Sequence, residues 1–450
     1  MNFRKLLTLM VIFTLSMAML MAGCGKANNQ DNSKAETQAT TKIEATKAPE
    51  PVNLRVMVGT GTTAEGWGKT FKDLVDQFNA NNEFNATLNL EPIDTEQYAT
   101  KIAAELATNN PPDLFYTWAA GRLKSFVDSG KLFAISEILD KDTEWKSRFL
   151  PGMFDSVTFD GKIYAVPGEQ NAAALFYNTE IFQKYGLQPP QTYTDFKNVI
   201  KVLNENDIVP LAMGNQDPWV GAILCEYIFN RMGGNEPFDN IVAGKGTFED
   251  ASYIEGGKVL QELVSMNAFP KGFNGMSYPD GNNLFTRGKA GMVCMGSWIV
   301  GEISGKDSLV KDKVDIVKFP TLDNGKGNVD TWLGQPDLCL AISKSCKNID
   351  AAAAFIKSFS TTDAQKAFAE STGSIPVTAA DVDMTNCNPL TAKLRQLQQS
   401  RSSMFIFYDV ALGNTIGTEF NNITQNIFAG KSPADEFKKL AQFVTDNSGK

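Results

Sequence analysis

The hydrophobic positions after residue 50 change their spacing repeatedly. Hydrophobic residues occupy every second position at 54–58 and 86–90, which is typical of strands. At 67–78 and 96–107 they recur every three or four positions, which predicts helices, and a short run at 113–116 indicates a buried strand. Strands and helices that alternate at this spacing predict βαβ units and a largely parallel sheet.

The same alternation returns later in the chain. Further strands are predicted at 175–178, 209–213, 290–296 and 314–319, and further helices at 193–205, 220–232, 253–266, 351–358, 362–370 and 433–446. One sheet holding all these strands would be unusually wide, and about 400 residues are enough for two domains with separate cores. The pattern therefore predicts an α/β protein with two lobes of comparable size.

The first 24 residues have a different pattern. Two basic residues, Arg4 and Lys5, precede an apolar run at 6–21, and two small residues precede Cys24. The run is shorter than the roughly 20 residues of a membrane-spanning helix. It therefore predicts a signal peptide at 1–23 that is removed from the mature protein.

Cleavage directly before Cys24 resembles processing at the lipobox of bacterial lipoproteins, in which the cysteine thiol receives a diacylglycerol. Met21 stands where leucine is most frequent in that motif. After the cysteine, the segment 24–51 is almost entirely polar or small, so we expect a disordered stalk that tethers a folded body to the membrane of a Gram-positive cell. The alternative is an ordinary secretory signal followed by a chance cysteine.

Composition excludes several classes of function. The net charge is −9 and the basic residues are not clustered, which argues against nucleic-acid binding. The chain contains no histidine, which excludes Ser-His-Asp and Cys-His nucleophiles and histidine general bases. Glycoside hydrolysis by a pair of carboxylates stays open, because it requires only Asp or Glu side chains.

The cysteines after Cys24 do not indicate a disulfide framework, because their number is odd. Cys225, Cys294 and Cys339 lie in apolar runs, and we expect them to be small buried residues. Whether Cys339 pairs with Cys346 depends on the turn between them, which the sequence leaves open.

Seven segments occur in the order of a known family. They are ELATNNPPDLFYTW at 105–118, GKIYAVP at 161–167, LFYNTEIFQKYGLQPPQTYTDF at 175–196, FTRGKAGMVCMGSW at 285–298, LCLAISKSCKNIDAAAAFIKSF at 338–359, GSIP at 373–376 and AGKSPADEF at 429–437. With these segments the sequence resembles the extracellular solute-binding proteins of bacterial ABC importers, in particular the maltodextrin- and multiple-sugar-binding group.

The resemblance implies a two-lobed, type II periplasmic-binding-protein-like fold with three crossings between the lobes. It places the N-terminal lobe at 52–167 plus 321–383 and the C-terminal lobe at 168–320 plus 384–450. Members of this family have no catalytic centre, so neither enzyme activity nor a cofactor or metal is expected. The implied partners are a carbohydrate ligand and the permease subunits of an ABC importer, with the receptor itself a monomer.

The resemblance also implies ligand contacts. Trp118 stands where maltodextrin-binding members carry a sugar-stacking tryptophan, and Arg122 stands at the position of their polar contact. Trp298 matches a second stacking tryptophan, and Asn171 matches a polar contact beyond the first crossing. Gly121 replaces an acidic residue of those members, which argues against maltodextrin itself.

Other candidates follow from residue type and position. Trp219 and Trp332 lie at the ends of predicted elements, where their rings are available either for stacking on a sugar or for core packing. Asp217 and Asp409 lie beside aromatic residues in loop-like sequence, where a carboxylate binds vicinal hydroxyls or caps a helix. Glu169 is either a ligand contact or a group that stabilises the hinge.

Three functions are therefore compatible with the sequence. The leading hypothesis is a lipid-anchored oligosaccharide receptor of an ABC importer. A surface glycoside hydrolase with two carboxylates is the alternative from another class. The third keeps the fold and binds a non-sugar ligand such as a phosphate ester or a metal chelate, which the absence of a cluster of Arg and Lys residues disfavours.

The leader generates the first prediction. We expect Cys24→Ser to abolish incorporation of labelled fatty acid and to release the protein into the medium, because the acceptor thiol is lost. Sugar binding by the released protein should equal that of the wild type, while uptake by the cells should fall. Fatty-acid incorporation that persists in Cys24→Ser would show that the anchor is not at this residue.

Overall fold

The computed structural model describes residues 50–64, 66–379 and 387–447. The predicted signal peptide, Cys24 and most of the stalk lie outside these residues. The strands are β1 Val52–Gly59, β2 Ala86–Ile93, β3 Leu114–Thr117, β4 Thr158–Phe159, β5 Lys162–Ile163, β6 Ala165–Val166, β7 Glu169–Asn178, β8 Val209–Ala212, β9 Ala290–Gly296, β10 Val314–Val317, β11 Thr331–Asp337, β12 Cys339–Ile342 and β13 Ser403–Phe405.

Helices cover the sheets that these strands form. They are α1 Gly66–Ala80, α2 Thr95–Ala107, α3 Ala120–Asp128, α4 Ser136–Lys141, α5 Thr143–Ser147, α6 Thr179–Lys184, α7 Tyr193–Asn204, α8 Trp219–Gly233, α9 Glu236–Val242, α10 Ala251–Ser265, α11 Tyr278–Thr286, α12 Ile299–Ile303, α13 Ile349–Ser358, α14 Thr362–Thr372, α15 Pro389–Gln399, α16 Tyr408–Ala411, α17 Gly413–Phe428 and α18 Pro433–Asn447. Short 3₁₀ helices lie at Asp155–Val157 and Phe273–Gly275.

The first sheet has the strand order β2-β1-β3-β12-β6. β1 pairs in parallel with β2 and β3, as the predicted βαβ pattern requires, whereas β12 joins antiparallel to β3. Leu54, Val56 and Val58 of β1 are fully buried in a hydrophobic core that includes Phe71 and Val75 from α1. The buried side chains of α1 therefore belong to the same hydrophobic core as the alternating positions of β1.

The second sheet has the order β13-β11-β7-β9-β8, with β10 also paired to β7. β7 is its longest strand, and every residue from 170 to 178 is buried. The hydrophobic pattern predicted only 175–178, because the preceding residues are small or polar and do not alternate. A second hydrophobic core packs around this sheet, so the predicted two-lobed α/β class is confirmed.

α8 lies in this second core and is buried along 220–231, including Glu226 and Arg231. The predicted burial of Cys225, Cys294 and Cys339 is confirmed. Cys339 and Cys346 do not form a disulfide bond. In the part of the chain that the structure describes, no helix has both the length and the apolar character needed to cross a bilayer.

The passages between the sheets are short. The chain leaves the first sheet after β6 and enters the second at β7, so one passage lies at 167–168. β11 belongs to the second sheet and β12 to the first, so another passage lies at Leu338 and not at the predicted boundary of 320/321. The hydrophobic pattern marks both strands but does not reveal which strand each one pairs with. The remaining boundary, predicted at 383/384, falls outside the described residues.

Candidate functional site

Trp118 and Arg122 lie at the carboxyl end of β3, where parallel strands commonly present binding residues. The Arg122 guanidinium lies over the Trp118 ring, 4.5 Å from its centroid. The same ring contacts Tyr98 and Tyr116, at centroid distances of 5.8 and 5.1 Å. Trp118 packs against the hydrophobic cores of both lobes, so this group of residues lies at the junction between them.

An ion pair joins the lobes at this junction. Arg122 Nη2 donates to Asp409 Oδ2 at 2.6 Å, from α3 of the first lobe to α16 of the second. Asn421 Nδ2 donates to the same oxygen at 3.1 Å. The side chains of Arg122 and Asp409 are only 14% and 10% exposed, so solvent screens their attraction weakly. The structure thus brings together two residues that lie 287 positions apart in the sequence.

The surroundings of Gly121 leave no room for the acidic residue that the resemblance implies at this position. A Cβ atom at this position would overlap the carbonyl oxygen of Ala411. The first turn of α3 therefore packs directly against the backbone of α16, and only glycine leaves room for that approach. The departure from the maltodextrin-binding pattern follows from close packing between the lobes.

The second lobe contributes its own aromatic group. Trp219 begins α8 and Trp298 immediately precedes α12, with their ring centroids 6.2 Å apart. Tyr278 lies 4.9 Å from Trp219, and Phe407 lies 6.0 Å from Trp298. Both tryptophans are partly exposed, so part of each ring is accessible outside the hydrophobic core.

Glu96 links the two lobes at a second point. This residue lies in the first turn of α2, and its Oε2 accepts a hydrogen bond from Trp219 Nε1 at 3.1 Å. Burial raises the pKa of the Glu96 carboxyl, and the nearby carboxylates of Asp217 and Asp94 raise it further. Glu96 was not among the predicted contacts, although its place just after β2 matches the same rule that favoured Trp118.

The hinge contains a pair of carboxyl groups. Glu169 and Asp337 are directly opposite one another on β7 and β11. Asp337 accepts hydrogen bonds from Asn171 Nδ2 at 2.5 Å and from the Tyr116 hydroxyl at 3.2 Å, and the Ser374 hydroxyl donates to Glu169. Burial, with the neighbouring Asp337 charge, raises the pKa of Glu169 to about 8, and burial raises the pKa of Asp337 to about 6.

The remaining candidates differ in their positions. Asp217 precedes α8, is partly exposed and lies beside Glu96. Trp332 lies in β11, is 2% exposed and belongs to the hydrophobic core of the second lobe. Its buried Nε1 has no hydrogen-bond partner in the described part of the chain. Asp217 therefore joins the groups at the junction, whereas Trp332 is a core side chain in this arrangement, and its ligand contact stays a prediction.

The sequence also matches a known protein family. The model of the bacterial extracellular solute-binding proteins matches residues 61–366. The chain belongs to this family. Family members are the substrate-binding proteins of ABC importers and are not enzymes, so the hypothesis of a surface glycoside hydrolase is wrong.

Individual relatives are similar over most of their length. The multiple sugar-binding protein of Streptococcus mutans is 25% identical over 313 residues, which is 64% of this chain and 71% of the relative. An uncharacterized ABC transporter extracellular-binding protein of Pyrococcus horikoshii is 23% identical over 314 residues, 68% of this chain and 67% of the relative.

Solved structures show the same architecture. A protein from work on xylan utilization by the thermophilic bacterium Caldanaerobius polysaccharolyticus superposes with a TM-score of 0.83 and 28% identity, over 87% of this chain and 100% of that chain. A chitin oligosaccharide binding protein has a TM-score of 0.80 and 25% identity, over 88% and 98% of the two chains.

The ion pair between the lobes generates a prediction about stability. Asp409→Ala leaves the Arg122 cation largely buried without a counter-charge, and we expect a loss of about 3 to 5 kcal/mol in the free energy of unfolding, measured by urea denaturation. The exposed pair of Lys69 and Asp73 provides the control, because Asp73→Ala should cost about 0.5 kcal/mol or less. Equal losses in the two variants would contradict a desolvated interlobe pair.

The hinge carboxyl of Glu169 predicts a pH dependence. Its pKa is 4.5 as an ordinary glutamate and about 8 in the folded chain, so between these values the folded chain holds a proton that the unfolded chain releases. The free energy of unfolding should therefore fall as the pH rises from about 5 to about 8. Glu169→Gln cannot titrate, and we expect it to weaken this dependence in urea denaturation series.

Glu137→Gln is the matched control for that series, because Glu137 is an exposed glutamate of the first lobe. Its pH dependence should equal that of the wild type. An unchanged slope in Glu169→Gln would show that the hinge carboxyl is not the titrating group.

Proposed function

We propose that this protein is the lipid-anchored receptor of an ABC importer and that it captures a carbohydrate, in particular an oligosaccharide, in the cleft between its lobes. The observation that carries the proposal is the meeting of aromatic rings and hydrogen-bonding groups from both lobes. Trp118 and Arg122 come from the first lobe, and Trp219 and Trp298 come from the second. Aromatic rings stack on the apolar faces of sugars, and planar polar side chains bind their hydroxyl groups.

The contacts between the lobes support one shared cleft. Arg122 reaches Asp409, and Glu96 reaches Trp219, so the aromatic rings of the two lobes border the same space. A hinge motion that separates the lobes breaks both contacts, and closure restores them. A ligand bound between the rings would therefore favour closure through the interactions it makes with both sides.

Charge favours a neutral ligand. The junction contains the carboxyl groups of Glu96, Asp217, Asp409, Glu169 and Asp337, while the guanidinium of Arg122 is already paired with Asp409. A phosphate ester would meet repulsion from those of these groups that are ionised at neutral pH. A sugar meets acceptors for its hydroxyl protons instead, which makes carbohydrate the better proposal than an anionic solute.

The similar proteins support an oligosaccharide. One solved relative binds chitin oligosaccharide, another comes from work on xylan utilization, and a curated relative is named a multiple sugar-binding protein. The predicted lipid on Cys24 and the polar stalk would keep such a receptor beside its permease. A released receptor would diffuse away from a cell that lacks an outer membrane.

Calorimetric titration with xylotriose, chitotriose and raffinose tests this proposal directly. We expect micromolar or tighter binding of at least one sugar, and chromatography of the incubated sugars should show no cleavage. Binding of glycerol 3-phosphate in place of all three sugars would favour the non-sugar alternative.

Stacking predicts which variants lose affinity. We expect Trp118→Ala and Trp298→Ala each to weaken binding of the preferred sugar by about tenfold or more, since stacking of a base on an aromatic ring, a comparable contact, contributes about 1 to 3 kcal/mol. Circular dichroism should show that both variants remain folded. Tyr185→Ala, which removes a partly exposed aromatic ring after α6, is the control and should retain full affinity. Full affinity in both tryptophan variants would overturn the stacking assignment.

A further inference from the structure

Four polar side chains share one face of the β7–β11 pair. Asn171 is directly opposite Gln335, and Glu169 is directly opposite Asp337. Directly opposed residues of antiparallel strands project to the same face, and so do residues two apart along one strand. The four side chains therefore form one polar patch, which we call the hinge floor.

The hinge floor lies between the aromatic groups of the two lobes. At one end, the Tyr116 hydroxyl donates to Asp337, and the Tyr116 ring contacts Trp118. At the other end, the Trp298 ring covers Gly296, which is directly opposite Ala173 on the face that also carries Asn171. Gln170 points the other way and contacts Met404. The hinge floor therefore faces the proposed cleft.

Two oxygen atoms of the hinge floor have no hydrogen-bond donor among the residues that the structure describes. Asn171 Oδ1 and Gln335 Oε1 are both buried and unpaired, although Asn171 and Gln335 are only 2% and 1% exposed. Buried polar atoms are nearly always paired in folded proteins, because each unpaired one costs free energy. Two buried amide oxygens without donors, side by side on neighbouring strands, indicate a partner that supplies two donors.

We propose that Gln335 and Asn171 together determine specificity by accepting hydrogen bonds from two adjacent hydroxyl groups of one sugar ring. This inference rests on the proposed function and names the group of the ligand that the hinge floor recognises. Directly opposed side chains on antiparallel strands begin about 5 Å apart at Cβ, so their oxygens can converge on neighbouring hydroxyls. The carboxyl groups of Glu169 and Asp337 at the next pair of positions add further acceptors.

The opposed amides of Asn171 and Gln335 also explain how the hinge floor would discriminate between sugars. A site whose buried acceptors are built to bind hydroxyl protons rejects a sugar that lacks one of them, because the unpaired acceptor then stays buried. The Gln335 amide is neutral, so its hydrogen bond from a sugar hydroxyl would not be strengthened by a charge. A side chain at the neighbouring Gly334 would overlap the backbone carbonyl oxygen of Asn171. Glycine at this position therefore allows the two strands to lie close together.

The experiment compares Gln335→Met with the wild type by calorimetric titration of xylotriose, chitotriose and raffinose. Methionine keeps the length of the side chain and removes the amide. We expect the dissociation constant for the sugar that the wild type binds to rise at least tenfold. We also expect the midpoint of urea denaturation to stay equal or to rise, because the variant removes an unpaired buried oxygen.

Gln398 provides a matched control. It is also a buried glutamine with an unpaired amide oxygen, but it lies near the end of α15. Gln398→Met should leave the affinity for all three sugars unchanged. Wild-type affinity in Gln335→Met would overturn this inference alone, as would an equal loss of affinity in both variants. A wild type that binds none of the three sugars would overturn the proposed function and this inference with it.

Discussion

The antiparallel pairing of β7 with β11 is the interaction on which the two-lobed structure depends. β7 begins two residues after the chain leaves the first sheet, and β11 ends one residue before the chain returns to it. The two strands therefore hold both described passages side by side. Any rotation of the lobes must act through residues 167–168 and Leu338, whose positive φ of 46° makes the sharp turn into β12. Because hydrogen bonds between the strands hold this pair rigid, the proposed hinge motion would act in the passages and not within the pair.

The pairing of β7 with β11 also leads to the burial of charged and titratable groups where the lobes meet. Arg122 and Asp409 are largely withdrawn from water, so their attraction is strengthened while their desolvation has to be offset by accurate geometry. Near the hinge, Glu169 and Asp337 are forced together by strand register, and burial favours their protonated forms.

Much of the secondary structure could be predicted, and less of the site. The helices at 193–205 and 253–266 were clear because their apolar stripes are long and regular. The beginning of β7 was missed because Glu169 to Ala174 carry small or polar side chains that become buried only when β9 and β11 pair beside them. Trp118 and Arg122 were found through the family resemblance. Glu96 was missed because an isolated glutamate in a helical first turn has no distinctive pattern until Trp219 of the other lobe is placed against it.

By itself the sequence determined the α/β class, the number of lobes and the exclusion of histidine chemistry, and it predicts a signal peptide at 1–23. These properties depend on local periodicity and composition, which neighbouring residues along the chain are enough to express. Only the tertiary structure decided that β11 belongs to the second sheet, that Gly121 is required by the approach of α16, and that Asn171 faces Gln335. Those facts depend on contacts between residues more than 150 positions apart, and strand register and close packing between distant segments leave no regular pattern along the chain.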